Sequence, residues 1–144
     1  MSGFLLDTNV LSELTRPEPN TYVVEWLDSV DESLLYLSVL TIGEIRKGLT
    51  VLTSGRRRSL LEAWLDTELT ARFAGRVLPI DYFVVDRWGR LAGEAQGRGA
   101  PLPVIDGLLA ATALHHDLTV VSRNVRDFAV DGLSSLNPWD KLAG

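Results

Sequence analysis

Short apolar runs alternate with amphipathic stretches along the entire chain, and this alternation restricts the fold more than any other feature. FLLDT (residues 4–8), LLYLS (34–38), RVLPI (76–80) and LTVVS (118–122) read as short strands, and NVRDFAVDGLSSLNPWD (124–140) as loop plus a final short strand. Helical segments lie between them. NVLSELTRPEP makes a helical turn or two, stopped by Pro17 and Pro19. Asn20 caps TYVVEWLDSV, whose Val23, Val24, Trp26, Leu27 and Val30 form an apolar stripe. TIGEIRKGLTVL follows as a helix. RRRSLLEAWLDTELTARFA, after a break at Ser54-Gly55, reads as one long amphipathic helix ending near Gly75. YFVVDRWGRLAGEAQGRG and, beyond Pro101 and Pro103, VIDGLLAATALHHD complete the series. Strands that alternate with helices predict an α/β domain with a mainly parallel central sheet flanked by helices. No repeat, low-complexity tract or linker interrupts the pattern, so one domain is expected over residues 1–144.

Composition narrows the chemistry. The chain has 144 residues, enough for one domain with a sizeable core, and is 46% hydrophobic and 23% charged, as soluble domains are. It contains no cysteine, which excludes disulfides, thiol catalysis and thiolate zinc sites. No N-terminal leader pattern and no apolar run of membrane-spanning length is present, so the default expectation is a cytoplasmic protein. A formal net charge of −5 argues against nonspecific, charge-driven nucleic-acid binding, although local clusters can still grip a phosphate backbone.

In a parallel sheet, ligands bind beyond the carboxyl ends of the strands. Asp7 follows the first strand. Glu44 falls in the first turn of the helix after the second. Asp106 opens the helix after Pro101-Leu102-Pro103, and Asn124 and Asp127 follow LTVVS. Carboxylates converging on one edge repel one another unless a cation lies between them, and hard oxygen ligands suit Mg²⁺ or Mn²⁺. Such ions activate water and stabilise in-line phosphoryl displacement. Each residue also has a structural explanation. Thr41-Ile42-Gly43-Glu44 fits a capping box, Asp106 is favoured by a helix dipole, Asp7-Thr8-Asn9 can cap the first helix, and Asp127 fits a solvated loop. Their shared position on one edge is the stronger signal.

LLDTNVLSEL, LSVLTIGEIRKGL, IDGLLAATALHHDLTVVSRN and NPWD together resemble a PIN-domain ribonuclease, above all the VapC-like and FitB-like toxins of type II toxin–antitoxin pairs. The resemblance covers essentially the whole chain. It implies a metal-dependent endoribonuclease in which Asp7, Glu44 and Asp106 are the catalytic acids and hold Mg²⁺ or Mn²⁺. In the family's fourth position Asn124 stands where many members have an acid, with Asp127 as the alternative source of charge. Ser122 replaces the usual threonine. Asn9, Ser122 and Arg123 are the expected substrate-side residues. In the implied mechanism a metal-bound water attacks the phosphate in line, so the 2′-OH is not needed chemically. RNA preference must then come from shape and single-stranded presentation. The implied substrate is transfer RNA or another structured RNA. The implied partners are an antitoxin with a DNA-binding domain, laid over the active site, and a second copy of the chain in a homodimer and larger toxin–antitoxin assembly.

Arg56-Arg57-Arg58, with Arg46 and Lys47, form the densest positive cluster and read equally as phosphate contacts or as a solvated helix start. His115 and His116 are adjacent and point apart, so they read as helix-end residues. Trp26, Trp64, Trp88 and Trp139 read as core or interface residues, Trp26 and Trp64 on helices available to another chain. Two rival classes remain. One is a PIN-like module that has lost catalysis and only binds a partner. The other is a Mg²⁺-binding receiver domain, which needs paired acids after the first strand and a late lysine, whereas Asp7 is single and the one late lysine is Lys141. A dehalogenase-type phosphatase needs D-x-D where this chain has Asp7-Thr8-Asn9.

Overall fold

The computed structural model describes residues 2–140; Lys141 lies outside them. Five strands, β1 (Phe4–Leu6), β2 (Leu35–Ser38), β3 (Val77–Leu78), β4 (Thr119–Val121) and β5 (Ser135–Leu136), form one sheet in the order β3-β2-β1-β4-β5. Every pairing is parallel. The helices are α1 (Thr8–Leu14), α2 (Thr21–Ser29), α3 (Val39–Thr50), α4 (Arg56–Ala63), α5 (Tyr82–Gly97) and α6 (Val104–His115), with short 3₁₀ turns at Glu32–Leu34 and Val125–Phe128.

The strands are continuously apolar because both sheet faces are covered. Successive side chains alternate between faces. Leu6 and Val121 join a cluster with Val10, Leu27, Leu37, Ile45, Leu65 and Phe73 under α1–α4. Leu5 and Val120 join Leu109, Ala113 and Phe128 on the other face, under α6. Trp26 belongs to the first cluster, 6% exposed and edge-on to Phe4 at 5.0 Å, so it is not available to another chain as expected.

Asn20 caps α2 as its sequence position predicts, accepting from the Tyr22 and Val23 N–H groups at 2.9 and 3.3 Å. Two expectations are corrected. The helix carrying Glu44 starts at Val39, capped by the Ser38 hydroxyl on the Leu40 N–H at 3.0 Å. Glu44 therefore lies beyond the first turn, and Thr41–Glu44 is no capping box. The long helix starting at Arg56 is helical to Arg72 but widens to a π-helix over Trp64–Leu69. There the Thr70 hydroxyl donates to the Leu65 and Asp66 carbonyls at 2.8 and 2.9 Å, while Leu65 and Leu69 stay buried.

Candidate active site

Strand order reverses between β1 and β4: the chain runs outward from β1 through β2 to β3, then returns to β4 on the other side of β1. The carboxyl end of such a reversal is where open α/β sheets leave a crevice. Asp7 leaves β1 at this point, its N–H donating to the Val121 carbonyl at 2.9 Å. Ser122 leaves β4 beside it.

Asp7 is both the cap of α1 and the centre of a hydrogen-bond network. Its Oδ1 accepts the Thr8 N–H at 2.8 Å. Its Oδ2 accepts the Ser122 hydroxyl at 2.8 Å and the Asn9 amide at 3.5 Å. The Ser122 oxygen accepts from Asn9 Nδ2 at 3.2 Å and the Asn124 N–H at 3.0 Å. Asn9 Oδ1 accepts the Arg123 N–H at 3.3 Å. Ser122 is fully buried, and its hydroxyl has no bond left for substrate; it orients Asp7. Asn9 likewise has its amide engaged inside the protein. Of the expected substrate-side residues, only Arg123 has an exposed side chain.

Glu44 comes up from α3, half-buried, with Oε1 accepting the Thr8 hydroxyl at 2.7 Å. Asp106 lies in the first turn of α6, which begins at Pro103 without a side-chain cap. Burial raises the Asp7 carboxyl above its ordinary 3.8, against the Ser122 and Thr8 hydrogen bonds, and Asp127 adds to the rise. Burial also raises Asp106, and the charges of Asp127, Asp7 and Glu44 push in the same direction. The four acids thus share one electrostatic field. Asp127, in the 3₁₀ turn after β4, belongs to it despite its exposure. Asn124 places its backbone N–H on Ser122, and its side chain makes no cap bond.

A field of unneutralised carboxylates is the condition a hard cation relieves. Among the described residues, no three acidic or histidine side chains form a ready-made cage for an ion. That suits Mg²⁺, which is usually held by one or two carboxylates and keeps several waters. The donor set of Asp7, Asp106, Glu44 and Asp127, all oxygen, is of the kind that fits Mg²⁺ or Mn²⁺.

The basic cluster divides. Arg46 pairs with Asp66 and, at 3.9 Å, with Glu62, and Arg58 bonds Glu62 and the Leu52 carbonyl, both at 3.2 Å. Arg46 thus ties α3 to the helix that follows, and Arg58 ties α4 to the turn after α3. Arg56 and Arg57 remain exposed on a groove that includes Thr15 and Leu61, and those residues also line the cleft running from Thr8 and Glu44 to Trp64. His115 stacks on Phe83 and meets His116 edge-on at the far end of α6, and takes no part in the acidic site.

A family profile described as the PIN domain matches residues 4–132. The chain is 40% identical over 135 residues to Toxin FitB of Neisseria gonorrhoeae, covering 94% of this chain and 97% of that one. It is 38% identical over 136 residues to the VapC ribonuclease Y4jK of Sinorhizobium fredii, covering 94% and 97%. Among solved structures it superimposes on a chain of FitAB bound to an IR36 DNA fragment with a TM-score of 0.91 at 37% identity, covering 97% and 98%.

Proposed function

The chain belongs to the PIN-domain family, with toxins and a ribonuclease among its relatives, and from this we propose that it is the toxin of a type II toxin–antitoxin pair and a Mg²⁺- or Mn²⁺-dependent endoribonuclease. The observation that supports this best is the meeting of Asp7 and Asp106 where the strand order reverses, both carboxyls raised by burial and like charge.

Asp7 and Asp106 would hold a divalent ion, which would supply a water of lowered pKa and charge stabilisation for in-line displacement at the phosphate. The protein's part is positional. The Ser122 hydroxyl and Thr8 N–H hold the Asp7 carboxylate in one orientation. The Thr8 hydroxyl fixes one Glu44 oxygen and leaves the other for water in the cleft. Asp127 adds the fourth negative charge, and Asn124 is a neutral group beside it. Arg123, on the rim, takes a substrate phosphate, and Arg56 and Arg57 extend the path for the strand along the groove. No residue in the site reads a base edge, so RNA is selected by shape and single-stranded presentation. An antitoxin carrying a DNA-binding domain is the expected partner, since FitAB is a complex of this kind bound to DNA.

The test is incubation of the purified protein with total cellular RNA in Mg²⁺, Mn²⁺ or excess EDTA, with sequencing of new 5′ ends. Discrete cuts that EDTA abolishes, and that are absent in Asp7→Asn, are expected. A folded, partner-free sample that cuts nothing in either metal would leave only the partner-binding role.

A further inference from the structure

We propose that Trp139 is a positioning residue for the site: its indole face holds the Arg123 guanidinium on the rim of the carboxylate pocket, poised for a substrate phosphate, while Asn9 of α1 and Asn137 clamp the backbone around them. This rests on the nuclease reading and adds how its substrate cation is kept available.

Arg123 stands directly after Ser122, whose hydroxyl bonds Asp7. An arginine so close to four acids has every electrostatic reason to fold onto them, where it would neutralise the metal ligands and be lost to substrate. It does not do so. Among the described residues no carboxylate pairs with Arg123. Its guanidinium carbon lies 5.4 Å from the centre of the Trp139 ring. That is cation–π distance, and an arginine stacked this way keeps the edges of its planar fork free for bidentate contact with phosphate.

The backbone around it is clamped from both sides. The Arg123 N–H donates to Asn9 Oδ1 at 3.3 Å, and its carbonyl accepts Asn137 Nδ2 at 3.3 Å. Asn137 in turn accepts the Trp139 N–H at 2.9 Å, which ties the NPWD turn and the SRN turn into one unit. Beneath Trp139 is Glu13, only 4% exposed, a burial that a carboxylate tolerates only with partners. It accepts the Asn20 N–H at 2.9 Å and Arg16 at 3.3 Å. Asn9 and Glu13 are four residues apart on α1, so they share one helix face. That face grips Arg123 through Asn9 and the start of α2 through Glu13.

The test uses the RNA mapped by the 5′-end experiment, with steady-state cleavage and Mn²⁺ calorimetry on wild type, Arg123→Ala, Trp139→Leu, Trp139→Phe and the double variant Arg123→Ala/Trp139→Leu. Arg123→Ala and Trp139→Leu are expected to raise KM by about tenfold, the loss of one charge-assisted phosphate contact, with kcat changed less than about twofold. Mn²⁺ affinity should not change. Trp139→Phe, which restores an aromatic face, should recover most of the KM, and the double variant should be no worse than Arg123→Ala alone. A second readout keeps Trp139 in place: a cleavage-resistant form of the same RNA should change the tryptophan emission of wild type but not of Arg123→Ala. A Trp139→Leu KM equal to wild type, an additive double variant, or an emission change that persists in Arg123→Ala overturns the proposal while the nuclease reading stands. A wild type that cuts no RNA removes both.

Discussion

At Asp106 two electrostatic effects oppose each other: a helix N-terminus favours the carboxylate, whereas burial and neighbouring acids favour the neutral form. A carboxylate in a helix's first turn gains about 0.3–1 kcal/mol from the helix dipole. Burial and the charges of Asp127, Asp7 and Glu44 raise its pKa. No hydrogen bond to its carboxylate offsets the rise. Asp106→Asn should therefore stabilise the metal-free protein and raise its Tm, while cleavage falls below about 1% of wild type. Calorimetry and the RNA assay check the two halves separately. The advantage is pH-dependent with a definite sign. It is full above the folded-state pKa, where the wild type carries the charge. It shrinks as pH falls through that value and is gone near the unfolded 3.8, where the wild type is protonated too. Melting both proteins across this window without convergence would contradict the assignment. The candidate acids were legible one by one in the sequence. The network that makes Ser122 and Asn9 supports rather than substrate contacts was not, because it depends on residues 113–115 positions apart.

Elements were legible where propensity and pattern agree, as in the Asn20 cap and the prolines that end α1. They were less so where one signal imitates another. Thr41–Glu44 has the spacing of a capping box, but Ser38, at the end of a buried strand, supplies the cap three residues earlier. Helix α6 shows how an element is positioned for the site by contact rather than by propensity. Gly107, beside Asp106, faces Trp88 of α5, and a Cβ at 107 would lie 3.0 Å from two atoms of the indole. This is tighter than nine in ten real Cβ contacts, so Gly107→Ala must shift the indole, and the α5–α6 contact with it, by a few tenths of an ångström. The expected cost is about 1–3 kcal/mol, read by chemical denaturation. The first turn of α6 would carry Asp106 with it, so Mn²⁺ affinity should fall as well. An unchanged midpoint and unchanged affinity would show that α5 and α6 are not so tightly coupled.

For the whole molecule, the acidic pocket is a standing destabilisation that a cation can remove. Mg²⁺ or Mn²⁺ should raise the Tm of the wild type by mass action, and the rise should largely vanish in Asp7→Asn and Asp106→Asn. A thermal-shift titration with EDTA reversal measures this without any RNA. A shift of equal size in all three proteins would place the ion elsewhere. No helix among the described residues is long and apolar enough to cross a membrane.

The alternation of strand and helix, the continuous apolarity of the strands and the choice of oxygen-bearing side chains at their ends are local properties, and the sequence by itself determined them. So did the motifs LLDTN and DGLLAATA, which carry the family likeness. Tertiary structure decided which strands are neighbours, and therefore that β1 and β4 adjoin where the order reverses, bringing Asp7 and Ser122 together from positions 115 residues apart. It also decided that Arg46 bridges two helices and Arg58 bonds the Leu52 carbonyl while Arg123 rests on Trp139. The physical reason is that periodicity reports which face of an element is apolar, whereas pairing and side-chain contact depend on how those faces are packed against one another in space.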